Sequence, residues 1–272
     1  VTAVITLTTD FGTRDPYVAE MKAAILRLSR AVHLVDVTHE IAPHDVVEGA
    51  LAVEAIAAVC APGTIHVAVV DPGVGTARRG LAVAAGGQVF IGPDNGIFTP
   101  VLALPGWDAF ELCAPEYRMP VVSATFHGRD VFGPAAAHVA LGVKPSRFGP
   151  AVRDPICLAW AASREVDGGV QGEVVHVDRF GNLVTSIDAG VVERLAARAG
   201  DRIRVRIAGR TLPLVRTYGD LVAGGAGALV GSRRRLEVVV RQGSAAARLR
   251  VRRGAVVRLS PASSRRWEQR CS

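Results

Sequence analysis

The 272-residue chain is poor in aromatic residues, at 5%, and almost without lysine, which occurs only at Lys22 and Lys144. No apolar run reaches eighteen residues, which argues against a membrane-spanning helix. The opening segment VTAVITLTTD has no basic stretch and no small-residue cleavage pattern, so it reads as a first strand and not as a secretion leader. The four cysteines, Cys60, Cys113, Cys157 and Cys271, form no CxxC pair and match no zinc spacing. The first two sit among apolar neighbours, so we expect reduced structural thiols and a cytoplasmic protein.

Familiar signatures fail as well. Glycines at 73, 75 and 80 follow a strand-like run, but a dinucleotide fingerprint needs a small residue where Arg78 stands. No GK[ST] ending completes a P-loop. The kinase-like fragments DFG (10–12) and HGRD (127–130) occur in reversed order. HEIAPH (39–44) is one residue too long for a helical zinc motif, and Pro43 breaks the helix it needs, so no metal site is expected. The net charge of +7 divides unevenly. Residues 1–150 hold 10 basic and 14 acidic residues, net −4, and residues 151–272 hold 22 and 11, net +11. A basic half can mark an anionic partner, but the aromatics that stack bases are sparse there, which favours an arginine-rich surface over nucleic-acid binding.

Apolar residues make up 49% of the chain, enough for a substantial core. In the first half, strand-like runs at 4–9, 32–37 and 65–70 alternate with helix-like segments at 17–28 and 45–59. Asp15-Pro16 reads as the start of the first helix, with the acid as N-cap and proline at the first helical position. Further strands are expected at 81–85 and 89–91 around Gly86-Gly87, then a helix over 129–141. This β-α-β order predicts an N-terminal α/β domain with a Rossmann-like, mostly parallel sheet. Ligands of such sheets bind beyond the carboxyl ends of the strands, where Asp10 and Asp71 fall. Residues 144–169, rich in proline and glycine, mark the boundary, giving domains over 1–160 and 161–272. After it, short β-like runs at 173–177, 183–187, 202–207, 211–216, 236–240 and 256–259, with one helix near 189–199, predict a smaller β-rich, barrel-like domain. The polar, basic tail from Ser263 is expected to fray.

Seven polar motifs interrupt this apolar chain: TTDFGTRDPY (8–17), THEIAPHDVVEGA (38–50), VVDPGVGTARR (69–79), PDNG (93–96), TFHGRDVFGPAAAH (125–138), DRFGNLVT (178–185) and GSRRRLEVVVRQGSAA (231–246). In this order, over nearly the whole chain, they resemble the S-adenosylmethionine hydroxide adenosyltransferases, the adenosine-forming hydrolases related to the fluorinating and chlorinating enzymes. The segment GSRRRLEV departs from the pattern, since relatives often carry asparagine or aromatic residues there.

The resemblance implies hydrolysis of S-adenosylmethionine to adenosine and methionine with no cofactor and no metal, by attack of water or hydroxide on the ribose C5′. It implies a catalytic set of Asp71, Arg78 and His127. Arg78 favours an anion beside it, His127 holds or accepts a proton near neutral pH, and Asp71 orients the arginine and the attacking oxygen. For the substrate it implies Asp10 on the ribose diol, with Phe11 beside it, and Asp15 and Asp178 near the methionine amine. Asn182 reads the adenine edge, Phe180 flanks the base, and backbone near Val240 touches it. Ser232 and Arg233 lie at the methionine carboxylate, with Glu237 in reach of the amine. Homotrimers with sites shared between subunits are implied too. A halogenase using chloride is disfavoured because Asp71 repels a halide. A non-catalytic S-adenosylmethionine or adenosine binder is disfavoured because binding alone needs no nucleophile-activating set.

Overall fold

A computed structural model describes residues 2–159, 162–199 and 203–261. Cys271, the tail from Ser263, Arg202 at the head of an expected strand, and residues 160–161 of the expected boundary segment lie outside the described residues. The chain divides into two compact units, Val1–Trp160 and Ala161–Ser272.

The first unit runs β1 (Ala3–Thr9), α1 (Tyr17–Leu28), β2 (Val32–Thr38), α2 (Val46–Ala57), β3 (Ile65–Val69), β4 (Gly80–Ala85), β5 (Gln88–Pro93), α3 (Thr99–Leu102), β6 (Asp108–Glu111) and α4 (Gly133–Ala140). Its six strands lie in the order β2-β1-β3-β5-β4-β6. The chain steps from β1 outward to β2, then crosses back over β1 to β3. Right-handed crossovers in opposite directions put the two connecting helices on opposite faces. Side chains of β3 and of Val70 just after it show the result: Val67 and Val69 join one core with Met21 and Ile25 of α1, while Ala68 and Val70 join another with Val53 of α2. The reversal between β1 and β3 is the switch point where ligands of such sheets bind, and Asp10 and Asp71 lie just beyond the carboxyl ends of these two strands.

The sheet is mixed, which corrects the mostly parallel expectation. It is parallel across β2/β1, β1/β3 and β3/β5, and antiparallel across β5/β4 and β4/β6. Gly86 and Gly87, at φ 56° and 75°, close a hairpin that leaves β4 no choice but to run against β5. The expected cap of α1 is also corrected. Pro16 itself is the N-cap residue and no side chain caps the helix, so Asp15 stays outside it. At α2 the cap is real, with Asp45 Oδ1 accepting from Glu48 N at 3.0 Å. The helix expected over 129–141 begins instead with a π-helical turn, Gly128–Phe132, before α4. Ala135, Ala136 and Ala137 are buried, as the alanine-packed face predicted. Of the described cysteines, all free, Cys113 and Cys157 are exposed, so Cys113 is not the buried thiol its neighbours implied.

The second unit runs β7 (Arg164–Val166), β8 (Gly169–Val177), β9 (Leu183–Asp188), α5 (Ala189–Ala199), β10 (Ile203–Ile207), β11 (Arg210–Pro213), β12 (Ala226–Val230), β13 (Arg235–Val240), α6 (Ala245–Leu249) and β14 (Val256–Pro261). The antiparallel strand order is β11-β10-β14-β8-β9-β13-β12, with β7 added on β8. A bridge between Leu214 and Ala228 joins its two ends, so the sheet is a nearly closed barrel. Strand alternation is plain in β10, where Ile203, Val205 and Ile207 point into the core and Arg204 and Arg206 to solvent. No helix among the described residues is long and apolar enough to cross a membrane.

Between β3 and β4 the chain loops over the sheet end at residues 70–79. Gly75, at φ 77°, lies against the backbone of Ala124, and a Cβ placed there meets the Ala124 carbonyl oxygen at 2.6 Å. Only glycine meets both demands. Gly75→Ala is therefore expected to lower unfolding free energy by about 1–3 kcal/mol, measured by urea denaturation. An unchanged midpoint contradicts this packing.

Candidate functional site

Asp71 leaves the end of β3, and the loop returns Arg78 to face it. Arg78 Nε donates to Asp71 Oδ1 at 3.0 Å, and Nη2 donates to Oδ2 to complete a two-point pair. Their side chains are only 9% and 6% exposed for Arg78 and Asp71. Arg78 Nη2 also donates to Nδ1 of His127 at 3.0 Å, and Nη1 donates to the Arg79 carbonyl at 3.2 Å. The guanidinium carbon lies 5.3 Å from the centroid of Phe132, which is fully buried. Phe132 also meets the His127 ring edge-on at 6.4 Å. Gly80 makes room for this, since a Cβ there meets Phe132 at 3.0 Å.

These contacts set protonation states. Arginine has no acceptor, so Nδ1 of His127 must accept and the neutral ring carries its proton on Nε2. Burial, and then the Arg78 charge, hold His127 below its ordinary value, with Asp71 opposing. Burial pushes the Asp71 carboxyl up, with Arg78 and a backbone bond from Gly73 working against it. The cluster is thus an anion and a cation shielded from water beside a neutral imidazole.

The loop is anchored from below by PDNG. Asn95 Nδ2 donates to the Val70 carbonyl at 2.7 Å, just before Asp71. Arg79, back to back with Arg78, donates through Nε to Asp94 Oδ2 at 2.8 Å and through Nη1 to Asp154 Oδ1 at 2.9 Å. Neither Arg79 nor the PDNG residues stood out as site residues in the sequence. Their contacts span 15 to 75 positions, and only the motif's polarity in an apolar stretch hinted at them.

At the neighbouring strand end, Asp10 Oδ2 accepts from the backbone N–H of His44 at 2.9 Å, and Oδ1 is left for another partner. Phe11, Tyr17 and Phe126 form an edge-to-face cluster with centroids 5.3–6.2 Å apart. Gly128 fits under Phe11, where a Cβ meets the ring at 2.9 Å. Asp15 is exposed. His39 is engaged with Thr9 Oγ1 at 2.9 Å and lies 3.0 Å from Asp36. Among the described residues no cluster of three or more histidine, cysteine or acidic groups is placed to hold a metal.

In the second unit, Asp178 closes the DRFGN turn. Its Oδ1 accepts from the N–H groups of Phe180 and Asn182 at 2.9 and 2.8 Å, and its Oδ2 from Asn182 Nδ2 at 2.8 Å. Asn182 Nδ2 also donates to the Tyr218 hydroxyl at 3.2 Å. Both amide donors are therefore spent, and Asn182 presents only its carbonyl oxygen as a free polar group. Phe180, Asn182, Tyr218 and Val240 line an open cleft of about 600 Å³, with Phe180 76% exposed. Tyr218 was not legible as a site residue, since its strand-free segment carries no pattern. Ser232 and Arg233 sit exposed on the turn between β12 and β13. Glu237 is buried on β13, and its carboxyl is pushed up by burial and by Asp178, with Arg233 opposing. A Cβ on Gly231 falls 2.0 Å from Glu237 Oε1, so glycine leaves that carboxylate its place.

Residues 5–149 match the family profile of the SAM hydroxide adenosyltransferase N-terminal domain, and residues 172–258 match that of its C-terminal domain. The chain is 39% identical to the (R)-S-adenosyl-L-methionine hydrolase of Thermus thermophilus, over 92% of this chain and 96% of the relative. It is 40% identical to the enzyme of that name from Salinispora arenicola, over 94% and 97%. A fluorinase from an Actinoplanes species is more distant, at 29% over 80% and 83%. The crystal structure of an uncharacterized conserved protein from Thermotoga maritima superposes with a TM-score of 0.88 at 31% identity, covering 94% of this chain and 99% of that one. With both halves matched and full-length relatives at this identity, the chain belongs to the SAM hydroxide adenosyltransferase family.

Proposed function

We propose that this protein hydrolyses S-adenosyl-L-methionine to adenosine and L-methionine, and that the Asp71–Arg78–His127 cluster carries the chemistry. The cluster itself supports this most directly: a shielded ion pair abutting a neutral histidine at the carboxyl end of a switch-point sheet. Oxygen bonds to C5′ as the C5′–S bond breaks, sulfur keeps the bonding pair and leaves as a neutral thioether, and the proton lost by water passes to bulk solvent. His127 enters this step as a donor. Its Nδ1 is occupied by Arg78, so its Nε2–H steadies the attacking oxygen while the guanidinium favours that oxygen's anionic form. Asp71 fixes Arg78 in place and balances its charge. An uncompensated cation there attracts a halide, and the paired carboxylate removes that attraction, which fits the greater distance of the fluorinases.

In this reading the first unit supplies catalysis and the Asp10 diol contact, with Phe11 and Asp15 nearby. The second supplies the adenine cleft of Phe180, Asn182 and Val240, and the methionine contacts of Asp178, Ser232, Arg233 and Glu237. The protein works as a cytoplasmic homotrimer whose sites are completed by a neighbouring subunit, needs no cofactor or metal, and has no nucleic-acid or membrane partner. Family membership and the division of these residues between two units support that arrangement. A stable monomer in sedimentation contradicts it.

Two outcomes test the chemistry. Arg78→Ala is expected to lower kcat by about 10²–10³-fold, measured as adenosine release, because one guanidinium serves both the nucleophile and the geometry of His127. Activity within a few-fold of wild type contradicts the assignment. In the pH profile, His127 stays neutral until below its ordinary 6.5, and Asp71 is protonated above its ordinary 3.8. Activity is therefore expected to hold through neutral pH and to fall on acidification as His127 and Asp71 take up protons. A limb centred above 6.5 contradicts the neutral-histidine account.

A further inference from the structure

We infer that Asp94 and Asn95 form a two-ended clamp that sets the Asp71–Arg78–His127 geometry, making them and Arg79 positioning residues of the reaction. Asn95 holds the loop at its entry, through the carbonyl of Val70, one residue before Asp71. Asp94 holds it at its exit, through the Arg79 guanidinium, one residue after Arg78. The backbone adds a third tie, Asp94 N–H donating to the Arg79 carbonyl at 2.9 Å. That same carbonyl accepts from Arg78 Nη1, so the catalytic guanidinium rests directly on the clamped peptide.

The clamp is rigid. Asp94 is 2% exposed, and its second oxygen accepts from Ile156 N–H at 2.8 Å. Asn95 Oδ1 accepts from Ile97 N–H at 3.2 Å, which fixes the amide that reaches Val70. Arg79 is further tied to Asp154, through its carboxylate and its backbone carbonyl. Both clamp residues follow directly on β5, an interior strand of the sheet, so the loop is referenced to the sheet itself. Six residues lie between Asp71 and Arg78, which are in contact, and glycines at 73 and 75 leave that stretch pliable. Without fixed ends such a loop samples many separations of the pair.

The inference deepens the hydrolase reading, and its test is readable without turnover. His127 is faced by Arg78, Asp71, Arg118 and Asp130, and its titration reports whether Arg78 is in place. Histidine NMR titration and kinetics are to be run on wild type, Asp94→Asn, Asn95→Ala, Arg79→Lys and the core variant Phe90→Leu, each checked for folding by circular dichroism. The clamp variants are expected to move the His127 titration upward, toward its ordinary value, and to lower kcat about 10–100-fold with KM changed less than about threefold. Phe90→Leu, which loosens the core beneath the opposite face, is expected to leave the His127 titration in place. Should one clamp variant not fold, the other two carry the same comparison. Folded clamp variants with an unmoved His127 titration and unchanged kcat overturn the inference, as does an equal shift in Phe90→Leu. A shifted titration in a protein whose wild type releases no adenosine keeps the clamp and removes the hydrolase reading.

Discussion

A carboxylate and a guanidinium, both nearly withdrawn from water, meet across six intervening residues of loop beyond the end of β3. Taking either charge out of water alone is costly, and removing one partner of such a pair typically costs about 3–5 kcal/mol because the other is stranded. The surroundings are arranged so that neither is stranded. Asp71 takes two bonds from Arg78, and Arg78 spends further donors on His127 and on the Arg79 carbonyl while resting on Phe132. Fixing the histidine tautomer is a consequence of this pairing and needs no separate device. The chemistry inherits its donor from the same bond.

The fold prepares that meeting in layers. Opposed crossovers around β1 make the switch point, the Gly86-Gly87 hairpin turns β4 into β5, which lies beside β3, and the residues following β5 clamp the loop that begins where β3 ends. Glycines allow close approach beside the site, at Gly75 under Ala124 and at Gly128 under Phe11. The barrel unit is built differently. There the acid of DRFGN is spent mainly on its own turn, and the cleft beside it is lined by the exposed Phe180 ring with Asn182, Tyr218, Gln242 and Ser244.

Local periodicity made much of this legible before any coordinates. The helix over Tyr17–Leu28 buries Met21, Ala24 and Ile25 at the spacing its apolar residues show, and the strand at Ile65–Val69 is buried at every position because both faces are covered, its one polar residue, His66, bonding to Thr6 and Gln88. The short strands Asp108–Glu111 and Ala226–Val230 were missed because they carry too few β-branched residues to stand out, and neighbouring strands dictate their conformation. Asp15 misled as a helix cap because Asp-Pro has that form wherever it occurs, while the first turn here closes on the Pro16 carbonyl. Asp71 was legible as an acid at a strand's carboxyl end, while Arg78 and His127 joined it only through the family resemblance, and in the structure Arg78 bonds to both of the others. Arg79, Asp94, Asn95 and Tyr218 act through partners far along the chain, and such partners leave no local pattern.

The most direct test of the central claim is to incubate the purified protein with S-adenosylmethionine in halide-free ¹⁸O-water and follow the products by mass spectrometry, with Asp71→Ala alongside. The account predicts adenosine labelled at its 5′ oxygen together with free methionine, and loss of both in the variant. Unchanged substrate, or unlabelled adenosine, contradicts it.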